Sequence, residues 1–111
     1  MLALLLAAPF ALPAQQGAAP VNDRPNPFTT IEGWAKMPEG RTWGSTSAVD
    51  IDPDGTSIWV GERCGANTCV GSTLDPILKF DATGKLVKSF GAGIIMWPHG
   101  IDVDKQGNVW V

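Results

Sequence analysis

His99 is the only histidine in the chain, and it stands in the run Trp97-Pro98-His99-Gly100. Pro98 fixes its own φ and biases Trp97 towards an extended conformation, while Gly100 permits a sharp turn, so the imidazole is presented at the head of a strand. That placement suits a metal ligand, although a single histidine is more often a surface or satisfied core residue. Asp50, Asp52, Asp54 and Gly55 match the opening of a calcium loop of the Asp-x-Asp-x-Asp-Gly kind. Its twelfth position, which needs a bidentate glutamate, is Gly61, and Glu62 comes one place too late. A polar turn between two strands explains the same residues. Cys64 and Cys69 enclose Gly-Ala-Asn-Thr. A zinc site would need further thiols or imidazoles close by, and none is near in sequence, so a disulfide is expected. So short a ring stabilises by at most ~2 kcal/mol, and its work is to shape a loop. Arg63 lies between Glu62 and Cys64, and on its own reads as a surface arginine paired with Glu62.

These residues sit at the ends of a regular series of strands. Ala48-Val49-Asp50-Ile51-Asp52 alternates apolar and acidic residues, Pro53-Asp54-Gly55 makes a turn, and Ile58-Trp59-Val60 forms the centre of a return strand. Ile77-Leu78-Lys79-Phe80, the turn Asp81-Ala82-Thr83-Gly84, and a strand from Leu86 to Phe90 complete a four-stranded antiparallel unit. The pattern then restarts. Val-Asp-Ile-Asp-Pro-Asp-Gly-Thr-Ser-Ile-Trp-Val at Val49 recurs as Ile-Asp-Val-Asp-Lys-Gln-Gly-Asn-Val-Trp-Val at Ile101. A four-stranded repeat with a period of about 50 residues is the signature of a β-propeller blade, of which complete propellers carry ~4 to 8. The expected class is therefore all-β, with one full blade over 47–90 and a second beginning over 97–111. A small free-standing β-sandwich is the competing architecture.

The start of the chain has a different character. Residues 1–14 are almost wholly Leu, Ala, Phe and Pro, and no charge appears before Asp23. This is the pattern of a secretory leader, with a cut after Ala14 or Ala19, so 1–19 is read as a signal peptide and the protein as secreted or periplasmic. Spanning a bilayer takes ~20 apolar residues, which the run does not reach. Residues 20–46 read as linker and lead-in, with at most one short strand between Ile31 and Trp43. The net charge of -3 offers no electrostatic footprint for nucleic acid or an anionic membrane surface.

Residues 97–111 resemble the first histidine motif of the peptidyl-α-hydroxyglycine α-amidating lyases, which are six-bladed propellers with NHL-type repeats. Asp-Pro-Ile-Leu-Lys-Phe-Asp at 75–81 and Ala-Val-Asp-Ile-Asp-Pro at 48–53 are also similar to blade strands of that family. The likeness covers 47–111, and Pro-His-Gly with the Asp-x-x-Gly-Asn-x-Trp-Val run is its most specific part. The resemblance implies that His99 is one of three histidines holding a catalytic zinc at the mouth of the channel. It implies that Val49 and Ile101 lend backbone carbonyls to a structural calcium, and that Arg63 belongs to the active site. A guanidinium there would anchor a peptide carboxylate or a developing oxyanion. The ligand implied is a peptide or small molecule at the channel mouth, and the reaction is elimination to a peptide amide and glyoxylate. The family shows histidine before that arginine and glycine after it, where this chain has Glu62 and Cys64. The chain also has no tyrosine and a single histidine, so the remaining ligands and the family's tyrosine are expected beyond Val111. A non-catalytic NHL-type propeller that binds a protein, peptide or glycan is the alternative.

Overall fold

The computed structural model describes residues 23–111, and the expected leader at 1–19 lies outside the described residues. Six strands form: β1 (Thr46–Ile51), β2 (Ile58–Glu62), β3 (Ile77–Phe80), β4 (Leu86–Phe90), β5 (Asp102–Val103) and β6 (Val109–Trp110). The first four make one antiparallel sheet in the order β1-β2-β3-β4, and the last two make a separate antiparallel pair. Among the described residues there is no helix, and hence none long and apolar enough to cross a membrane.

One turn is built three times. In Asp52-Pro-Asp-Gly55, Asp81-Ala-Thr-Gly84 and Asp104-Lys-Gln-Gly107, the glycine N–H donates to the carbonyl of the aspartate at 2.9 Å. Each glycine has positive φ, at 74°, 79° and 82°, which lets the chain return at once as the next strand. The repeat extends to side chains. The Trp59 indole donates to Asp52 Oδ2 at 2.8 Å, and the Trp110 indole donates to Asp104 Oδ2 at 3.1 Å.

Pairing register sorts the four-stranded sheet into two faces. Val49, Val60 and Leu78 stand opposite one another, as do Ile51, Ile58 and Phe80, and these residues share the first face. Val60, Leu78 and Phe80 are its buried centre, and Trp34, Ala35 and Met37 pack over them. Trp43 adds a tilted ring contact with Phe80 at 5.7 Å. The stretch read as linker and lead-in thus supplies one wall of the core from Trp34 onward. It does so without a strand, through a single parallel bridge between Lys36 and Lys85.

The second face carries Ala48, Asp50, Trp59, Gly61, Ile77 and Lys79. The second strand pair docks here. A Cβ placed on Gly61 would lie 3.5 Å from both Ala48 Cβ and Pro98 Cβ, so the absent side chain leaves room for the proline. Ser47 Oγ donates to the Pro98 carbonyl at 2.6 Å, and the Val103 N–H donates to Asp50 Oδ2 at 2.6 Å, which sets β5 beside β1.

Candidate functional site

The end of β2 and the run before β5 meet around Trp97. Arg63 follows β2 directly and is only 7% exposed. Its Nε donates to the Pro98 carbonyl at 3.3 Å and its Nη1 to Asn67 Oδ1 at 2.8 Å. The guanidinium carbon lies 4.0 Å from the centre of the Trp97 ring, within cation–π range. Trp97 is fixed in turn, its indole donating to the Asn67 carbonyl at 3.1 Å. The ring of His99 lies 5.5 Å from that of Trp97, tilted by 42°, and is exposed. Trp97 therefore connects Arg63 to His99, two residues 36 positions apart (99 minus 63).

Arg63 is not a surface arginine, and its partner is not Glu62. Strand alternation turns Glu62 to the first face, where it is fully buried and paired with Arg41. Glu62 Oε2 also accepts the N–H groups of Gly44 and Gly65, at 3.0 and 3.1 Å, and Arg41 Nη2 donates to the Asp75 carbonyl at 2.6 Å. The pairing that adjacency suggested fails because neighbouring strand residues point to opposite sides.

Cys64 and Cys69 form the expected disulfide. The loop they close is tied at both flanks: Ser45 N–H donates to the Ala66 carbonyl at 2.7 Å, and Cys69 N–H donates to the Met96 carbonyl at 2.8 Å. It carries Asn67, which holds Arg63 with its side chain and Trp97 with its backbone. Sequence reading missed Asn67. Its one signal was its place in the middle of the cysteine loop.

The remaining named positions lie in or beside the first strand of each pair. Val49 is in β1, and Ile101, its counterpart in the repeat, comes immediately before β5. A catalytic zinc takes three protein ligands and a calcium six to eight oxygens. Among the described residues no group of three or more His, Cys, Asp or Glu side chains is placed to hold a metal. His99 with these two carbonyls does not by itself fit either ion.

Electrostatic perturbation is concentrated in the turns. Asp52 is held below its ordinary value chiefly by the hydrogen bond from the Lys79 ammonium, at 2.7 Å, with the Trp59 indole adding to it. Asp104 is lowered chiefly by the Asn108 side chain and Asp81 chiefly by the Thr83 hydroxyl. Lys79 is raised by the same Asp52 carboxylate. These carboxylates stay ionised to shape turns.

The fold and this rim define an all-β protein of repeated strand, Asp-x-x-Gly turn and strand units, with a clamped arginine and an exposed histidine on either side of one tryptophan. No protein family, curated protein or solved structure matches the chain.

Proposed function

We propose that the chain forms the first blades of an exported, NHL-type β-propeller, six-bladed when complete, similar to the peptidyl-hydroxyglycine amidating lyases. One observation carries the reading: Arg63 and His99 meet at Trp97 on the edge where the second strand pair docks beside the first. That edge is where a radial array of blades would open its channel. The guanidinium is held by Pro98, Asn67 and Trp97, while its Nη2 bonds to none of the described residues. That nitrogen is available to a substrate carboxylate or a developing oxyanion. An arginine held in place before the substrate arrives spends little on reorganisation. Trp97 supplies a flat wall beside it.

In the elimination, the substrate hydroxyl loses its proton, the carbonyl of glyoxylate forms, the C–N bond breaks and the amide nitrogen takes a proton. A zinc would polarise that hydroxyl, but His99 alone does not make the site, so its partners would come from other blades, as would the ligands of a calcium beside Val49 and Ile101. A non-catalytic propeller is favoured by one feature: a stacked Arg63–Trp97 pair is also a sufficient platform for binding a peptide.

The test uses the protein expressed from its full reading frame. Glyoxylate release from an α-hydroxyglycine peptide is expected, and Arg63→Ala should lower it by about 100-fold, the scale of losing one oxyanion donor. Zinc should be present and lost in His99→Ala. Peptide binding without glyoxylate would select the binding protein, and unchanged turnover in Arg63→Ala would remove that residue from the site.

A further inference from the structure

We infer that Ser47, assisted by Ser45, is the positioning residue of Arg63. The inference rests on the reading of Arg63 as a substrate anchor and deepens it, by naming what aims the guanidinium before a ligand arrives.

The guanidinium has two hydrogen-bond acceptors, and each is shared with a serine hydroxyl from the start of β1. The Pro98 carbonyl accepts Arg63 Nε at 3.3 Å and Ser47 Oγ at 2.6 Å. Asn67 Oδ1 accepts Arg63 Nη1 at 2.8 Å and Ser45 Oγ at 3.1 Å. A carbonyl oxygen has two lone pairs, so both acceptors are filled, and the second donor fixes where each oxygen points. At Pro98 the serine bond is the short one and the arginine bond lies at the long end of the range. Ser47 therefore places the carbonyl, and Arg63 Nε comes to rest against an acceptor that is already held.

β1 is built to make this contact. Thr46 pairs with Glu62 and Ala48 with Gly61, so Ser47 is an extra residue with no partner of its own in β2. Regular alternation from Ala48 would send the Ser47 side chain to the first face, away from Pro98. The bulge instead leaves Ser47 and Ala48 together on the second face, where Pro98 sits over Gly61. Re-aiming a side chain is what bulges do beside active sites. Pro98 is fully buried and Ser47 half-buried, which limits competition from water for the bond. The two partners are 51 positions apart, and Pro98 belongs to the run that carries Trp97 and His99. One hydroxyl thus fixes the peptide unit lying between the ring that Arg63 stacks on and the histidine that follows.

The experiment uses the protein expressed from its full reading frame with isotope-labelled arginine, and compares Ser47→Ala with Ser47→Thr, which keeps the hydroxyl. Both variants should retain the β-type circular dichroism spectrum and the disulfide. The Nε–H resonance of Arg63, assigned by its loss in Arg63→Lys, should exchange slowly with solvent in the parent and in Ser47→Thr. In Ser47→Ala it should exchange about tenfold faster, the scale of one lost hydrogen bond. Ser45→Ala, changed at an exposed position, should speed the same exchange by a smaller factor; the parent rate there would remove Ser45 from the arrangement. Glyoxylate release should fall by about tenfold in kcat/KM in Ser47→Ala and recover in Ser47→Thr. In an Arg63→Ala background, Ser47→Ala should cost nothing more, because a residue that acts through Arg63 has nothing left to position. An equal loss in both backgrounds would make Ser47 a structural contact only and overturn the inference, as would parent-rate exchange in Ser47→Ala. A parent protein that releases no glyoxylate would sink the lyase reading, and the exchange rates would then decide the role of Ser47 alone.

Discussion

At the residue scale the molecule separates two neighbours in sequence into two different tasks. Glu62 is buried with Arg41 and takes two further backbone donors. Arg63 faces the other way and is held under Trp97. Removing one member of a buried pair leaves the other charged and unpartnered, which costs about 3–5 kcal/mol, whereas replacing both by apolar groups of similar size is often neutral. Arg41→Ala should therefore destabilise strongly, and the double variant Arg41→Met/Glu62→Leu should recover part of the loss, the remainder being the Gly44 and Gly65 N–H groups left without their acceptor, as read by urea unfolding. Equal destabilisation by the single and double variants would contradict this account of the pair. Asn67 is the second residue whose role is positional. Asn67→Ala should raise the mobility of Arg63 and relieve its contact with Trp97, shifting tryptophan fluorescence with little change in the stability of the large sheet. Emission identical to the parent would show that the disulfide loop holds Trp97 without it.

At the scale of elements, the Asp-x-x-Gly turn is the unit from which both sheets are made, and its acid sensitivity follows from its carboxylates. The folded-state pKa values of Asp52, Asp81 and Asp104 lie below the ordinary value of 3.8. Their contribution to stability is complete above that value and is lost as the pH falls through the folded pKa. Lys79, being raised above 10.5, contributes fully below that value and loses its contribution only as the pH rises past it. Stability from these groups should thus be flat between pH 5 and 9 and fall below about pH 4, with Asp52→Asn flattening the acid limb. A fall beginning near pH 6 would point to another group. The glycines of the turns supply a controlled comparison. Gly55 and Gly84 have nearly the same φ, but a Cβ on Gly84 would lie 1.8 Å from the Trp34 carbonyl oxygen, while one on Gly55 meets nothing within 4 Å. Gly55→Ala should cost about 1 kcal/mol from its backbone alone. Gly84→Ala should cost more and expose Trp34 to quenching; equal costs would mean that the lead-in does not rest on this turn. The strands and turns were legible in sequence because they obey local rules: alternation from Ala48 to Asp52, glycine after Asp-x-x, and a β-favouring Ile58-Trp59-Val60. The lead-in was not legible. Trp34, Ala35 and Met37 have no period, and they gain their place from contacts with β2, β3 and the turn between β3 and β4. The site was legible only in part for the same reason, since Arg63 and His99 stand out by type whereas Asn67 and Arg41 matter by distant contacts.

At the scale of the whole molecule, the question is what makes one sheet and a strand pair stable. The buried apolar centre is small, Val60, Leu78 and Phe80, with Ile77 and Trp59 on the other face. Repeat proteins draw their stability from contacts between neighbouring units, and a unit that lacks a neighbour loses that term. Here one such contact is made, through Asp50 and Pro98, while among the described residues Val49, Ile51 and Trp110 stay exposed. A monomer should therefore unfold over a broad range, with the β5–β6 pair opening before the four-stranded sheet. Calorimetry in dilute solution should show this breadth, and hydrogen exchange should be faster in β5 and β6 than in β2 and β3. A sharp two-state transition at a fixed temperature in dilute, monomeric solution would mean that the two sheets stabilise one another fully within one chain.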